Sequence, residues 1–117
     1  EFLEGLKRVT RGTQTKELEQ VRRERAGAIY RTGTHSAFAE ALGLEQQRLT
    51  DEIANVVSTA QANGWVHPGL DPIAASVLIQ AYSLGRIVDD ISPSPMDNDK
   101  WVEIIDRLAE KVFGLDD

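Results

Sequence analysis

Two segments near the C-terminus, Asp71 to Ile91 and Asp97 to Phe113, are apolar around more of their circumference than one packed face uses, and nothing else in the chain constrains its fold as tightly. Projected at about 100° per residue, the first puts Ile73, Val77, Leu84, Ile87 and Ile91 on one side, and Ala74, Leu78, Ala81, Gly85 and Val88 on the side next to it. The second repeats the pattern, with Trp101, Ile104, Ile105, Leu108 and Val112 beside Val102, Ala109 and Phe113. In 117 residues, one stripe of each helix can face the chain's own core while the other has no evident partner. The expectation is a homodimer in which both helices and their copies form a four-helix bundle. Its interface is expected at Ala74, Leu78, Ala81, Gly85, Val88, Trp101, Val102, Ile105, Ala109 and Phe113. Ala74, Ala81 and Gly85 recur at i, i+7 and i+11, so a partner helix can come close there. The competing reading is that loops and earlier helices of the same chain cover both stripes.

The rest of the chain also reads as helix, because its β-branched residues fall at helical spacings and never in an alternating run bounded by turns. An amphipathic start, Phe2, Leu3, Leu6 and Val9, leads into an expected loop at Thr10 to Thr13. A long helix is predicted from Thr15 to Thr32, with Leu18, Val21, Arg25, Ala28, Ile29 and Thr32 on its inner face and Gly33 just past its end. A short helix from Thr34 to Leu42 carries Phe38, Ala41 and Leu42 and is expected to stop at Gly43. The next runs from Glu45 to Ala62 with a narrow stripe of Leu49, Ile53, Val56, Val57 and Ala60, closed by Asn63-Gly64. Asp71-Pro72 is an N-cap followed by proline at the first helical position. Asp97 caps the last helix after the Ser92-Pro93-Ser94-Pro95 loop, with Met96 stapled to Trp101. The expected fold is all-α, a single antiparallel helical bundle over residues 1–117.

Composition narrows the function classes. A net charge of −6 and a pI near 4.9 leave no generic basic surface for nucleic acid or anionic membrane. The absence of cysteine excludes disulfides and thiolate chemistry. No apolar run approaches the roughly 20 residues of a membrane span, and no signal peptide is visible, so a cytoplasmic chain with no membrane partner is expected. The sequence opens at Glu1 inside an amphipathic segment and therefore reads as a fragment of a longer protein.

Three stretches carry a resemblance: Ala60 to Gly64 (Ala-Gln-Ala-Asn-Gly), Leu70-Asp71-Pro72 opening an apolar helix that contains Leu84-Gly85-Arg86, and a closing helix entered near Trp101. In this order they resemble the C-terminal regulatory domain of TetR-type transcription regulators, and the likeness in helix order covers nearly the whole chain. It implies a homodimer built through the last two helices, in agreement with the stripes, and an unknown small-molecule effector bound among the earlier helices. It also implies that the parent protein regulates transcription, as a repressor does. The departure is the missing N-terminal helix-turn-helix, which reads DNA in that family. DNA binding is therefore expected only through a head upstream of residue 1.

Catalytic and metal signatures are absent from the pattern. His35 and His67 lack ligand spacing, and neither a metal nor any other cofactor is expected. Asp89 and Asp90 diverge by about 100° on a helix and cannot share a proton. Asp90 follows Arg86 by four residues and reads as its surface partner. No serine stands in a recognisable arrangement with a histidine, so no catalytic residue is assigned and the chain is not read as an enzyme.

Polar residues that interrupt apolar stripes are the better guide, because leaving one buried and unpaired costs about 1–3 kcal/mol. Arg25 falls between Val21 and Ile29, Gln80 lies near the face defined by Ile73 and Leu84, and Tyr82 carries a hydroxyl between faces. With Ile29, Phe38, Ile53 and Val57 they make the candidate effector pocket, in which a guanidinium grips an acid and an amide orients the ligand. The alternative is that each is satisfied within a filled core, leaving a ligand-free protein–protein interaction module. The run Arg22-Arg23-Glu24-Arg25, interleaved with acid on an acidic chain, reads as a solvated helix face.

Overall fold

The computed structural model describes residues 1–115 and is helical throughout, with no strand among those residues. Helix α1 (Phe2–Thr13) is followed by a single 3-10 turn (Lys16–Leu18), α2 (Glu19–Arg31), α3 (Ser36–Ala62), α4 (Pro72–Gly85), the one-turn α5 (Ile87–Asp90) and α6 (Asn98–Phe113). The caps at α4 and α6 are those the sequence predicts. Asp71 accepts the Ala74 N–H at 2.8 Å, and Asp97 accepts the Asp99 N–H at 2.9 Å. At the end of α3 the Gly64 N–H bonds the Gln61 carbonyl at 3.0 Å and the Trp65 N–H bonds the Ala60 carbonyl at 2.9 Å. That paired closure needs a left-handed residue, which Gly64 supplies at φ 74°.

Four boundaries differ from expectation. The first helix runs on through Thr10 to Thr13, with Thr10 buried and the Thr13 hydroxyl donating to the Val9 carbonyl at 2.9 Å. The helix expected from Thr15 instead opens as the 3-10 turn and becomes α-helical at Glu19. Gly43 does not stop a helix, since α3 passes through it with strong helix formers on both sides. The segment from Asp71 to Ile91 is broken after Gly85, where Arg86 turns its guanidinium into the interior.

Two helix pairs build the molecule. Ser76 and Gln80 of α4 bond Thr50 and Gln46 of α3, so rising numbers on one helix meet falling numbers on the other and the pair is antiparallel. Lys7 and Arg11 of α1 meet Glu110 and Asp106 of α6 in the same sense. Leu6, Val57, Ala60, Val66, Ala75, Ala109 and Phe113 close the shared core, with Phe2 edge-on to Phe113 at 5.8 Å between ring centres. The connection from α3 to α4 is pinned by the His67 N–H on the Phe113 carbonyl (3.0 Å) and by the Gln61 amide on the carbonyls of His67 and Leu70.

The core is small for the chain. The Cα atoms span 46 × 36 × 17 Å, a slab about two helix layers deep at the 8–10 Å spacing of packed helices. The radius of gyration is 15.5 Å, against about 13.4 Å for a compact domain of this length. The accessible surface is 7598 Å², against about 6,300 Å² for a compact monomer of this mass.

Candidate functional site

Helix α4 contains no charged residue from Pro72 to Gly85. It turns Ala75, Ser76, Ile79 and Tyr82 inward, with Ser76 fully buried and its hydroxyl donating to the Thr50 carbonyl of α3 at 2.9 Å and Tyr82 reaching Thr10 of α1. This inward side is neither of the two stripes expected from the sequence. Small residues at the contact let the two backbones approach; Leu78 and Ile79 pack against the core, while Ile73 and Val77 are turned away from it. Ile73 is 45% exposed and Val77 52%, while Ala74, Ala81 and Gly85 are exposed beside them. Past the break, Val88 and Ile91 are also exposed.

On α6 the expected interface is corrected. Val102, Ile105, Ala109 and Phe113 are buried in the chain's own core, because this side faces α1 and the end of α3. They are closed to a partner. The outward apolar flank of α6 is Trp101, Ile104 and Leu108, with Ile104 59% exposed. Of the interface residues predicted from sequence, Ala74, Ala81, Gly85 and Val88 are exposed, Leu78 is half-buried against the core, and Trp101 is half-buried with its indole N–H on Gln14. Asp99, Glu103, Arg107 and Glu110 leave the remaining side of α6 charged.

The seven predicted pocket residues do not enclose one cavity. Val57 lies in the core, and Tyr82 is buried with its hydroxyl 3.2 Å from that of Thr10, burial raising its pKa above the usual phenol value. Ile53 is half-buried on the flank of α3. Arg25, Ile29 and Phe38 are exposed, so the side of α2 expected to face inward faces solvent instead. Arg25 and Gln80 are nevertheless connected: the Arg25 guanidinium donates to Gln46, the Gln46 amide donates to Gln80, and the Gln80 amide donates to the Thr50 hydroxyl at 3.0 Å. Two surface grooves lie elsewhere, one between α1 and α6 lined by Arg11, Asn98, Asp106 and Glu110, the other lined by Phe2, Val56, Ala60 and Trp65.

The polar interior is at the corner after α1, which sequence reasoning missed. Arg22 is 5% exposed and grips Asp90 through two bonds of 2.7 and 2.8 Å, while its Nη1 donates to the carbonyls of Thr13 (3.3 Å) and Thr15 (3.0 Å). Asp90 is therefore the partner of Arg22, and not of Arg86. The hydrogen bonds from Arg22 hold its carboxyl below the usual carboxylate range. Arg86 donates to the Gln14 carbonyl at 2.6 Å and to Asn98. Gln14, 1% exposed, donates to the Ser83 carbonyl at 2.9 Å and accepts from the Trp101 indole at 2.8 Å. Three successive carbonyls at the C-terminal end of α1 are thus taken by two guanidiniums, the charge type that end of a helix favours. A loop glutamine between two threonines gave no signal of this in the sequence.

Among the described residues no group of three His, Cys, Asp or Glu is placed to hold a metal ion, and no helix is long and apolar enough to cross a membrane. No family model, curated protein or solved structure matches the chain.

Proposed function

We propose that this chain is the dimerising, effector-responsive domain of a TetR-type transcription regulator, in which DNA is read by a separate N-terminal helix-turn-helix. The observation that carries the reading is the outward side of α4, an uncharged helix whose exposed residues are Ile73, Ala74, Val77, Ala81 and Gly85. Monomeric proteins rarely leave so continuous an apolar face in water, and a second copy laid across α4 and the Trp101–Ile104–Leu108 flank of α6 covers it symmetrically. The order of helices and the Leu70-Asp71-Pro72 start support the family reading. The polar corner at Gln14 ties α1 to α4 and α6, so an effector that favours one arrangement of the bundle also favours one setting of α1.

Gly85→Arg tests the dimer. A β-carbon at Gly85 meets nothing within 4 Å, so a side chain can start from this exposed position without a clash at its base. Sedimentation equilibrium is expected to show a dimer for the parent chain and a monomer for the variant at micromolar concentration. A variant that still dimerises overturns the choice of face.

A second reading, a dimerising interaction module without an effector, is favoured by Val57 and Tyr82, which are buried and satisfied where a pocket wall was expected. Ligand binding separates the two readings.

A further inference from the structure

The hydrogen-bond chain from Arg25 to Thr50 runs in one direction. The Ser76 hydroxyl gives its proton to the Thr50 carbonyl, so its oxygen can only accept, and the Gln80 amide donates to both Ser76 (3.3 Å) and Thr50 (3.0 Å). With its NH₂ so engaged, Gln80 turns its carbonyl to the Gln46 NH₂, and Gln46 in turn offers its carbonyl to Arg25. Every acceptor in the chain is used from within, and the guanidinium at its outer end has donors left over, five N–H groups being available in all. Three other arginines of this region are neutralised, Arg22 by Asp90, Arg23 by Glu19, and Arg48 by Glu45 and Glu52, while Arg31 lies over the Phe38 ring. Arg25 is met by a neutral amide that is itself anchored in the core.

The surroundings of Arg25 are apolar. Val21 and Ile29, one turn before and after it on α2, are 57% and 43% exposed. Leu42 and Leu49 flank Gln46 on α3 and are half-buried, and Phe38 carries the Arg31 guanidinium 5.7 Å from its ring centre. A cation with unspent donors, set between uncovered aliphatic side chains, matches an amphipathic monoanion, whose carboxylate takes two parallel bonds from guanidinium while its hydrocarbon body covers the side chains.

The geometry points to a carboxylate-headed, apolar-bodied effector seated between α2 and α3 with Arg25 as its counter-ion. This deepens the effector-responsive reading and rests on it. Decanoate is the probe, with decanol as the same body lacking the charge, and binding to the full chain is followed by isothermal titration calorimetry at fixed ionic strength. Decanoate is expected to bind at least about tenfold more tightly than decanol, the difference a charge-assisted hydrogen bond makes. Arg25→Gln is expected to abolish that preference while leaving decanol binding and the far-ultraviolet circular dichroism unchanged. Arg107→Gln, on the outer side of α6, is expected to keep the preference. Equal binding of the two probes, no binding of either, or a preference that survives Arg25→Gln overturns the assignment. Dimerisation measured on the same samples separates the failures: a chain that dimerises through Gly85 but ignores the head group sinks only the effector class, whereas a monomer that discriminates sinks the dimer and spares the site.

Discussion

Arg22 shows how much one side chain can be asked to do in a thin protein. Its guanidinium neutralises Asp90, satisfies the Thr13 carbonyl that the end of α1 leaves without a helical partner, and adds a second bond to the Thr15 carbonyl. Removing it orphans the Asp90 carboxylate and the Thr13 carbonyl, so Arg22→Met is expected to cost about 3–5 kcal/mol, as losing one member of a buried ion pair does. Asp90→Leu is expected to cost less, because Arg22 keeps its carbonyl partners. Urea denaturation of both variants checks the order. The pair also sets a pH dependence. Because the native carboxyl is held below its ordinary range by Arg22, the pair contributes its stability at neutral pH and loses it as the pH falls toward the native value. Asp90→Asn is therefore expected to flatten the loss of stability between about pH 5 and pH 3. Chemical denaturation repeated across that range, with no difference between variant and parent, would contradict the assignment of this carboxyl as the acid-sensitive group.

Among the helices, the legible parts were those in which one residue type has one physical use. Asp71-Pro72, Asp97 and Asn63-Gly64 mark helix ends because a short carboxylate caps free N–H groups and glycine alone closes the turn at φ 74° without strain. Gly43 has no such obligation and was misread. Inside α3, a β-carbon there meets nothing within 4 Å, so Gly43→Ala is expected to stabilise the chain by roughly 0.5–1 kcal/mol, whereas Gly64→Ala is expected to destabilise it. Thermal unfolding of the two variants gives the signs directly. The faces of α4 were misassigned for a different reason. Periodicity finds where apolar residues are, but the side facing α3 was chosen by close approach through Ala75 and Ser76, and no count of hydrophobes reports that distance. The pocket was read from Arg25 and Gln80 as interruptions of apolar faces. Their connection through Gln46 was hidden, because Gln46 sits in a polar stretch of α3 where an amide is unremarkable in sequence.

Among the described residues few side chains are fully buried, and two of them, Gln14 and Ser76, are polar. Native domains retain only a narrow margin of stability, and with a core closed partly by hydrogen bonds the proposed dimer would contribute to that margin by covering α4 and α6. Its midpoint of thermal unfolding is therefore expected to rise with chain concentration, as mass action requires for a fold stabilised by association. Scanning calorimetry over a roughly hundredfold dilution is the check, and a midpoint that stays fixed shows that the chain folds independently of a second copy.

A slab 17 Å deep has a consequence for how long each molecule survives. Backbone in so shallow a body lies close to water on at least one side, and under the proposed pairing the copy without a mate is the one open to proteolysis, which acts on the transiently unfolded population. Lifetime then becomes a function of abundance. With the proposed dimer, scarce chains would be cleared while they are single and chains above the association threshold would persist, so the amount present would be set by a threshold instead of rising in proportion to synthesis.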